Sequence, residues 1–319
     1  MHDVDVMMIG HFARDILVVD GTAAVASGGA VYYGGIALRR LGLSVAVVTR
    51  LHPSDLPYLE EMTAVGVDVY ATDAPETSGI RNEYRSDDME RRVCTPLGFA
   101  GAFKRNDIPG IQARVCLVVP IVAGEVGLEL LQWLSARMPV GLDVQGFVRV
   151  PVDGQLVFQP WPEMAQGLSC VRYLKADRAE AELLTGETDL GRAARELSSY
   201  GPREIVLTQS SGVTVYAGGA VHTAPFRSRT LGGRTGRGDT CFATYVGSRL
   251  GASPAQAATL SAAITSLKQE QPGPWQGSLA DAAQLLGVGP DALSGIRDRL
   301  LSTARGEYER GDEAKEQGG

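Results

Sequence analysis

The sequence predicts an α/β fold with a mostly parallel central sheet, and three observations carry that prediction. Short runs rich in Val, Ile and Leu recur at 4–9, 45–49, 115–119, 140–143, 173–175, 205–208 and 213–216. Longer stretches of helical periodicity separate them, at 31–41, 54–64, 125–137, 178–184 and 190–200. After Asp239 the pattern becomes helix after helix, at 241–250, 254–269, 279–287 and 290–304. Strands alternating with helices argue for a parallel sheet buried on both faces, because a parallel neighbour needs a crossover that lays a helix over the sheet. Ligands in such sheets bind beyond the carboxyl ends of the strands.

Two segments break the alternation. Residues 16–26 follow the first strand, and residues 78–95 follow a strand-like run at 67–71; both are β-like and too polar for buried strands. The second contains Asp87-Asp88-Met89-Glu90-Arg91-Arg92. They read either as two surface hairpins or as one small sheet covering the site. The final segment, 305–319, is polar and charged and is expected to be a disordered tail.

Composition narrows the function classes. A chain of 319 residues can bury a large core. Its net charge of −7, with both signs interspersed, argues against a nucleic-acid partner. The longest apolar run, 115–123, is about half a membrane span and contains Pro120. The N-terminus reads as a strand and not as a targeting signal. Cys94, Cys116, Cys170 and Cys241 stand singly, as expected of reduced thiols in a cytoplasmic protein. The four histidines, at 2, 11, 52 and 222, argue against a histidine metal centre.

The most informative stretch runs Gly232-Gly233-Arg234-Thr235-Gly236-Arg237-Gly238-Asp239-Thr240 and leads into an apolar helix. Glycines let the backbone turn tightly and present several N–H groups in one direction, and the helix adds its positive end there. Asp239 beside such an anion cradle is placed to take a proton from a hydroxyl attacking a phosphate. Three weaker features accompany it. Gly28-Gly29 precedes a helix, where it allows close approach of a ligand or a tight turn. Asp15, just past the first strand, suits sugar hydroxyls or a turn. Lys175-Ala176-Asp177-Arg178-Ala179-Glu180 opens a helix after a strand, so Asp177 and Glu180 share the first turn, as a helix cap also requires. No G-x-x-x-x-G-K-[ST] sequence occurs, and no G-x-G-x-x-G follows the first strand, which argues against P-loop and dinucleotide folds.

In this order the motifs resemble the ribokinase (PfkB) family of carbohydrate kinases, over nearly the whole chain to about residue 275. The resemblance implies a three-layer α/β core at 1–304 with a small β lid formed by about 12–27 and 76–98. It further implies that Gly28, Gly29, Asp15 and Tyr33 line the acceptor site and that Thr208 to Gly212 forms the nucleotide loop. Glu180 and Asp177 would handle Mg²⁺ and its waters. Gly236, Arg237 and Gly238 would form the anion hole, with Asp239 as the catalytic base. ATP is the implied donor, with a monovalent cation as an optional further cofactor, and a homodimer is compatible with the lid. The acceptor is expected to be a sugar or related polyol; nucleoside, cyclitol and sugar-phosphate kinases, or a catalytically weak binding protein, are the alternatives.

Five departures stand out against that pattern. Arg237 replaces a small residue, Gly233 stands where the family commonly has another Asp, Asp177 replaces Asn, and Gln145 breaks the usual Asp-Pro-Asn. Tyr33 takes the position where ribokinase-like members often offer an Asn, which disfavours plain ribose.

Overall fold

The computed structural model describes residues 3–85, 88–289 and 293, with side chains at 84–92 excepted. Asp87, almost all of the candidate helix at 290–304 and the expected tail at 305–319 therefore lie outside the described residues.

Strand β1 (Asp3–Ile9) shows why the sheet is buried on both faces. Val6 and Met8 enter one apolar cluster, while Met7 and Ile9 enter the other. The chain then leaves the main sheet through the hairpin β2 (Ala13–Val19) and β3 (Thr22–Gly28), and returns along α1 (Ala30–Arg40) to β4 (Val45–Leu51). The helix expected at 54–64 is split into a 3-10 segment, Pro53–Leu59, and the short α2 (Glu60–Ala64). Pro57 inside that segment lacks the N–H a continuous α-helix would use.

Strand β5 (Asp68–Asp73) leads to a second excursion, β6 (Gly79–Arg85) and β7 (Asp88–Gly98). After β8 (Gln112–Val118) comes α3 (Leu128–Ser135), three residues later than the sequence pattern indicated, because the carboxylate of Glu125 folds back on the preceding loop. Strand β9 (Val140–Asp143) ends in the single turn α4 (Gln145–Val148). The hairpin β10 (Arg149–Val152) and β11 (Gln155–Phe158) follows, unexpected from the sequence. Its turn is Asp153-Gly154, both at positive φ, a pair that marks tight hairpins. Next come α5 (Met164–Leu168), β12 (Tyr173–Asp177), α6 (Arg178–Thr185), α7 (Leu190–Ser199), β13 (Glu204–Gln209) and β14 (Gly212–Ala217). The chain continues with β15 (Ala220–Pro225), α8 (Arg237–Arg249), α9 (Pro254–Gln269) and α10 (Leu279–Leu286). Strand β15 escaped the sequence reading because it is an edge strand with little apolar content.

The nine-stranded sheet has the order β15-β14-β13-β12-β9-β8-β1-β4-β5, parallel except for β14 and β15. Helices α1, α8, α9 and α10 cover one face, and α3, α6 and α7 the other. From β1 the chain moves first toward β5 and later toward β13. This places a switch point between β1 and β8, where a crevice opens at the carboxyl ends.

The two excursions meet above that crevice in a four-stranded sheet of order β3-β2-β6-β7, with β2 and β6 parallel. A buried polar knot ties the connections between the two sheets. His11 Nε2 donates to the Gly101 carbonyl at 2.9 Å, so Nδ1 accepts from the Ser78 hydroxyl at 2.7 Å. Ser78 Oγ in turn accepts from Ala100 N at 3.0 Å. Glu125 accepts from the backbone N–H groups of His11, Ile121 and Val122, which fixes the wall of the crevice after β8.

Candidate active site

The glycine-rich turn is shaped by what surrounds it. Gly236 caps α8 at φ 82, and a Cβ there would overlap the Tyr33 ring at 2.3 Å. Any other residue is excluded by conformation and by space. A Cβ on Gly233 would lie 1.7 Å from the Gln271 carbonyl oxygen, so the Asp common at this position in the resembling family cannot fit. The first i→i−4 bond of α8 runs from Thr240 N to Gly236 O, and the Arg237 N–H turns back to the Arg234 carbonyl at 3.2 Å. The N–H groups of Gly238 and Asp239 precede that ladder and are open to a ligand at the positive helix end.

Around this turn lies a cavity of about 230 Å³. It is lined by 234–239, with Asp143, Lys175, Arg149 and the Tyr33 ring that seats on Gly236, and by Asp15, Ile80 and Asn82 of the four-stranded sheet, with Gly29. Lys175 stands at its floor, buried, with Nζ 3.0 Å from Asp143 Oδ1 and 3.5 Å from Glu180 Oε2. Burial pushes its pKa down, but Asp143, Glu180, Asp177 and Asp239 outweigh that and hold it above the usual lysine value. Burial raises the Asp239 carboxyl above its usual range, helped by the charge of Asp143 and opposed by Lys175, Lys268 and Arg149. A carboxylate raised in this way holds a proton more firmly once it has taken one.

On the four-stranded sheet, Asp15 Oδ1 accepts from Ile80 N at 2.8 Å, joining β2 to β6. Gly28 lies flush against that carboxylate, where a Cβ would come within 2.4 Å of Oδ2, and it does not itself face the cavity. Gly29, at φ 88, caps α1 and does face it. Asn82 is buried and accepts from the Cys94 thiol at 3.3 Å.

Other expected residues sit apart. Asp177 and Glu180 form a reciprocal capping box: Asp177 Oδ1 accepts from Glu180 N, and Glu180 Oε2 from Asp177 N. Glu180 is fully buried, and its Oε1 has no hydrogen-bond partner in the protein. Thr208, at the end of β13, is 3.9 Å from where a Cβ on Gly238 would lie; Gly212 starts β14 against the Ala224 carbonyl. Neither faces the cavity. No group of three or more His, Cys, Asp or Glu side chains among the described residues is arranged to hold a metal ion. No helix among them is long and apolar enough to cross a membrane.

Asp143, Arg149, Arg234, Asn82 and Lys268 were not singled out from the sequence. The Asp-Gly turn was a signal for the hairpin that carries Arg149; Asn82 and Lys268 have no local signature.

A mostly parallel sheet, a small antiparallel-edged sheet above its crevice and a helix-capping Gly-x-Gly-Asp turn define a kinase of the ribokinase type. No family model matches the chain. Among solved structures it is 34% identical to a pyrophosphate-dependent kinase in the ribokinase family, determined as a sulfate complex, with a TM-score of 0.82 over 89% of this chain and 100% of that one. It is 33% identical to a pyrophosphate-dependent kinase of the same family complexed with a pyrophosphate analogue and myo-inositol, with a TM-score of 0.81 over the same shares. Among characterised sequences it is 27% identical to a cytidine kinase of Thermococcus kodakarensis, over 74% of this chain and 85% of that protein. The chain belongs to the ribokinase family and is a phosphotransferase acting on an alcohol group.

Proposed function

We propose that the protein transfers a phosphoryl group, in line, to a hydroxyl of a small polyhydroxylated acceptor of the cyclitol or sugar class, with Asp239 as the base. The observation that carries this reading is one cavity lined both by Asp239, in the first turn of α8, and by Asp15 of the four-stranded sheet. Acceptor hydroxyls donate to Asp15 and to the Asn82 amide oxygen, and the reacting hydroxyl gives its proton to Asp239. Charge developing on the transferring group faces the N–H groups of Gly238 and Asp239, a kind of donor worth ~3–4 kcal/mol each when well placed. The Lys175 ammonium and the Arg149, Arg234 and Arg237 side chains add positive charge around the same space. Neither Asp177 nor Glu180 lines the cavity; Glu180 Oε1, a buried acceptor without a partner in the protein, would reach a magnesium ion held mainly by the donor phosphates only through water. Magnesium bound there would neutralise phosphate charge.

The donor we infer is pyrophosphate. The cavity is rich in cationic side chains, and the structurally similar relatives above use pyrophosphate. ATP is the second reading, favoured by Thr208, which lies beside Gly238 where the nucleotide loop was expected. The test offers pyrophosphate or ATP with a panel of cyclitols, sugars and nucleosides and follows products by phosphorus NMR. Turnover of cyclitols or sugars with pyrophosphate supports the reading. Transfer confined to ATP and ribose or a nucleoside would sink both the donor and the acceptor class.

A further inference from the structure

Lys268 lies outside the roles described so far. It sits on the last turn of α9, 2% exposed, and its ammonium donates to the Gly233 carbonyl at 2.6 Å and to the Thr235 carbonyl. It also stands 5.0 Å from the centre of the Tyr33 ring, the ring that seats on Gly236. Its hydrogen-bond partners are neutral carbonyls. Burial pulls its pKa down to about 8, and the opposite charge acting on it is that of Asp239. Burying an ammonium against carbonyls alone is costly for stability. Such a group persists where the fold or the chemistry requires it.

The requirement follows from peptide geometry. In a trans peptide the C=O and the following N–H point in opposite directions. Drawing the Thr235 carbonyl down onto Lys268 aims the Gly236 N–H away from it, and drawing down the Gly233 carbonyl does the same for the Arg234 N–H. Arg234 and Gly236 both line the cavity. A positive charge on the carbonyl side also polarises each peptide so that its N–H becomes a better donor on the other side.

We infer that the Lys268 ammonium is a built-in monovalent cation for the anion turn: it orients and polarises the 233–236 peptides toward the donor phosphate and makes the enzyme independent of added potassium. It is a positioning residue, acting through the turn without touching the acceptor. This inference rests on the phosphoryl-transfer reading, and it replaces the monovalent cofactor that the family resemblance left optional.

The test is run at pH 7 with pyrophosphate and, in parallel, ATP. Wild-type turnover is expected to be the same within about twofold in potassium, sodium and tetramethylammonium salts. Lys268→Ala is expected to lower kcat about 100-fold, the scale of a small misplacement in a site, with acceptor KM little changed. Ammonium or potassium at tens of millimolar should restore about tenfold of the loss, and tetramethylammonium, too large for the vacated space, none. Donor binding without acceptor, read by thermal shift, supplies a measurement that needs no turnover: it should weaken in the variant and recover with ammonium. If Lys268→Ala does not fold, Lys268→Met, which keeps the stem, takes its place in both assays. Potassium dependence of the wild type, an undiminished kcat in the variant, or a loss that ammonium does not restore would each overturn the inference. If the wild type neither binds nor turns over either donor, the phosphoryl-transfer reading itself has failed, an outcome distinct from these three.

Discussion

The two parts of the cavity lining are built differently. Around Asp239, the groups sit on the large sheet and the helices against it: Asp143 ends β9, Lys175 lies in β12, and Asp239 lies in α8 between α1 and α9. Asp143, Lys175 and Glu180 are almost fully buried and hold one another in place. Around Asp15, the side chains hang from the four-stranded sheet, which exposes Val25 (62%) and Val93 (59%) and joins the core through the knot at His11, Ser78 and Glu125. On the proposed reading the phosphate chemistry would rest on packed core, which deforms little. Acceptor recognition would rest on a peripheral sheet packed on its own small apolar cluster, Ala13, Ile80, Ile121 and Val122. We propose that this sheet, spanning about 12–27 and 76–98, acts as a lid. The contrast suits a division in which one chemistry serves while the acceptor pocket can vary.

The sharpest way to break this contrast is at Asp239. Asp239→Asn is expected to lower kcat by about 10² to 10⁴, the range for losing a positioned base, with donor binding by thermal shift nearly intact. Near-normal turnover would remove the core part of the cavity lining from the chemistry. Next in size is Lys175→Met, which leaves Asp143 and Glu180 buried without their partner. Breaking such a pair costs about 3–5 kcal/mol, and urea unfolding should show it; a surface-like loss below 1 kcal/mol would mean that the cluster is more hydrated than its burial implies.

Around Asp15 the effects should be smaller and fall on binding. Asp15→Ala is expected to raise acceptor KM about tenfold to a hundredfold, equivalent to ~1–3 kcal/mol for stranded hydroxyls. Asp15→Asn keeps an acceptor for Ile80 N and should recover the β2–β6 contact more than the acceptor affinity. An unchanged KM in both variants would take Asp15 out of the pocket. Amide exchange should slow along β2 and β6 only when acceptor and a donor analogue are present together, and equal protection by either ligand alone would argue against closure.

The smallest expected effect is on stability. The folded state holds the Asp239 proton more tightly than the unfolded chain, whose carboxyl titrates near 3.8. Stability therefore falls as pH rises from that value through the raised one and stays lower above it. Asp239→Asn should raise Tm by a few degrees at pH 7–8, and the gain should vanish below about pH 4. A variant less stable than wild type at pH 7 would show that the carboxylate is better satisfied than its burial implies.

Between Asp177 and Glu180 the sequence left two readings open, a helix cap or a magnesium pair. The structure makes the capping box and leaves Glu180 Oε1 without a partner, so one oxygen of the pair remains for the second reading. Thr208 and Gly212, expected at the donor, are not among the residues that line the cavity, although Thr208 lies beside Gly238, which does.

By itself the sequence determined the parallel α/β order, because runs such as Val45-Ala46-Val47-Val48 can be satisfied only by burial on both faces. It also determined the turn at Gly236 to Asp239, because positive φ at a helix cap is a local demand that glycine meets. The tertiary structure alone decided which polar groups share the cavity with Asp239. Asn82, Asp143 and Arg149 arrive from three separate parts of the chain, and nothing in the sequence beside them marks the meeting. Local pattern records the conformation and burial each residue requires of its own backbone; the company a charge keeps is set by strand order and helix packing, which join residues far apart in sequence.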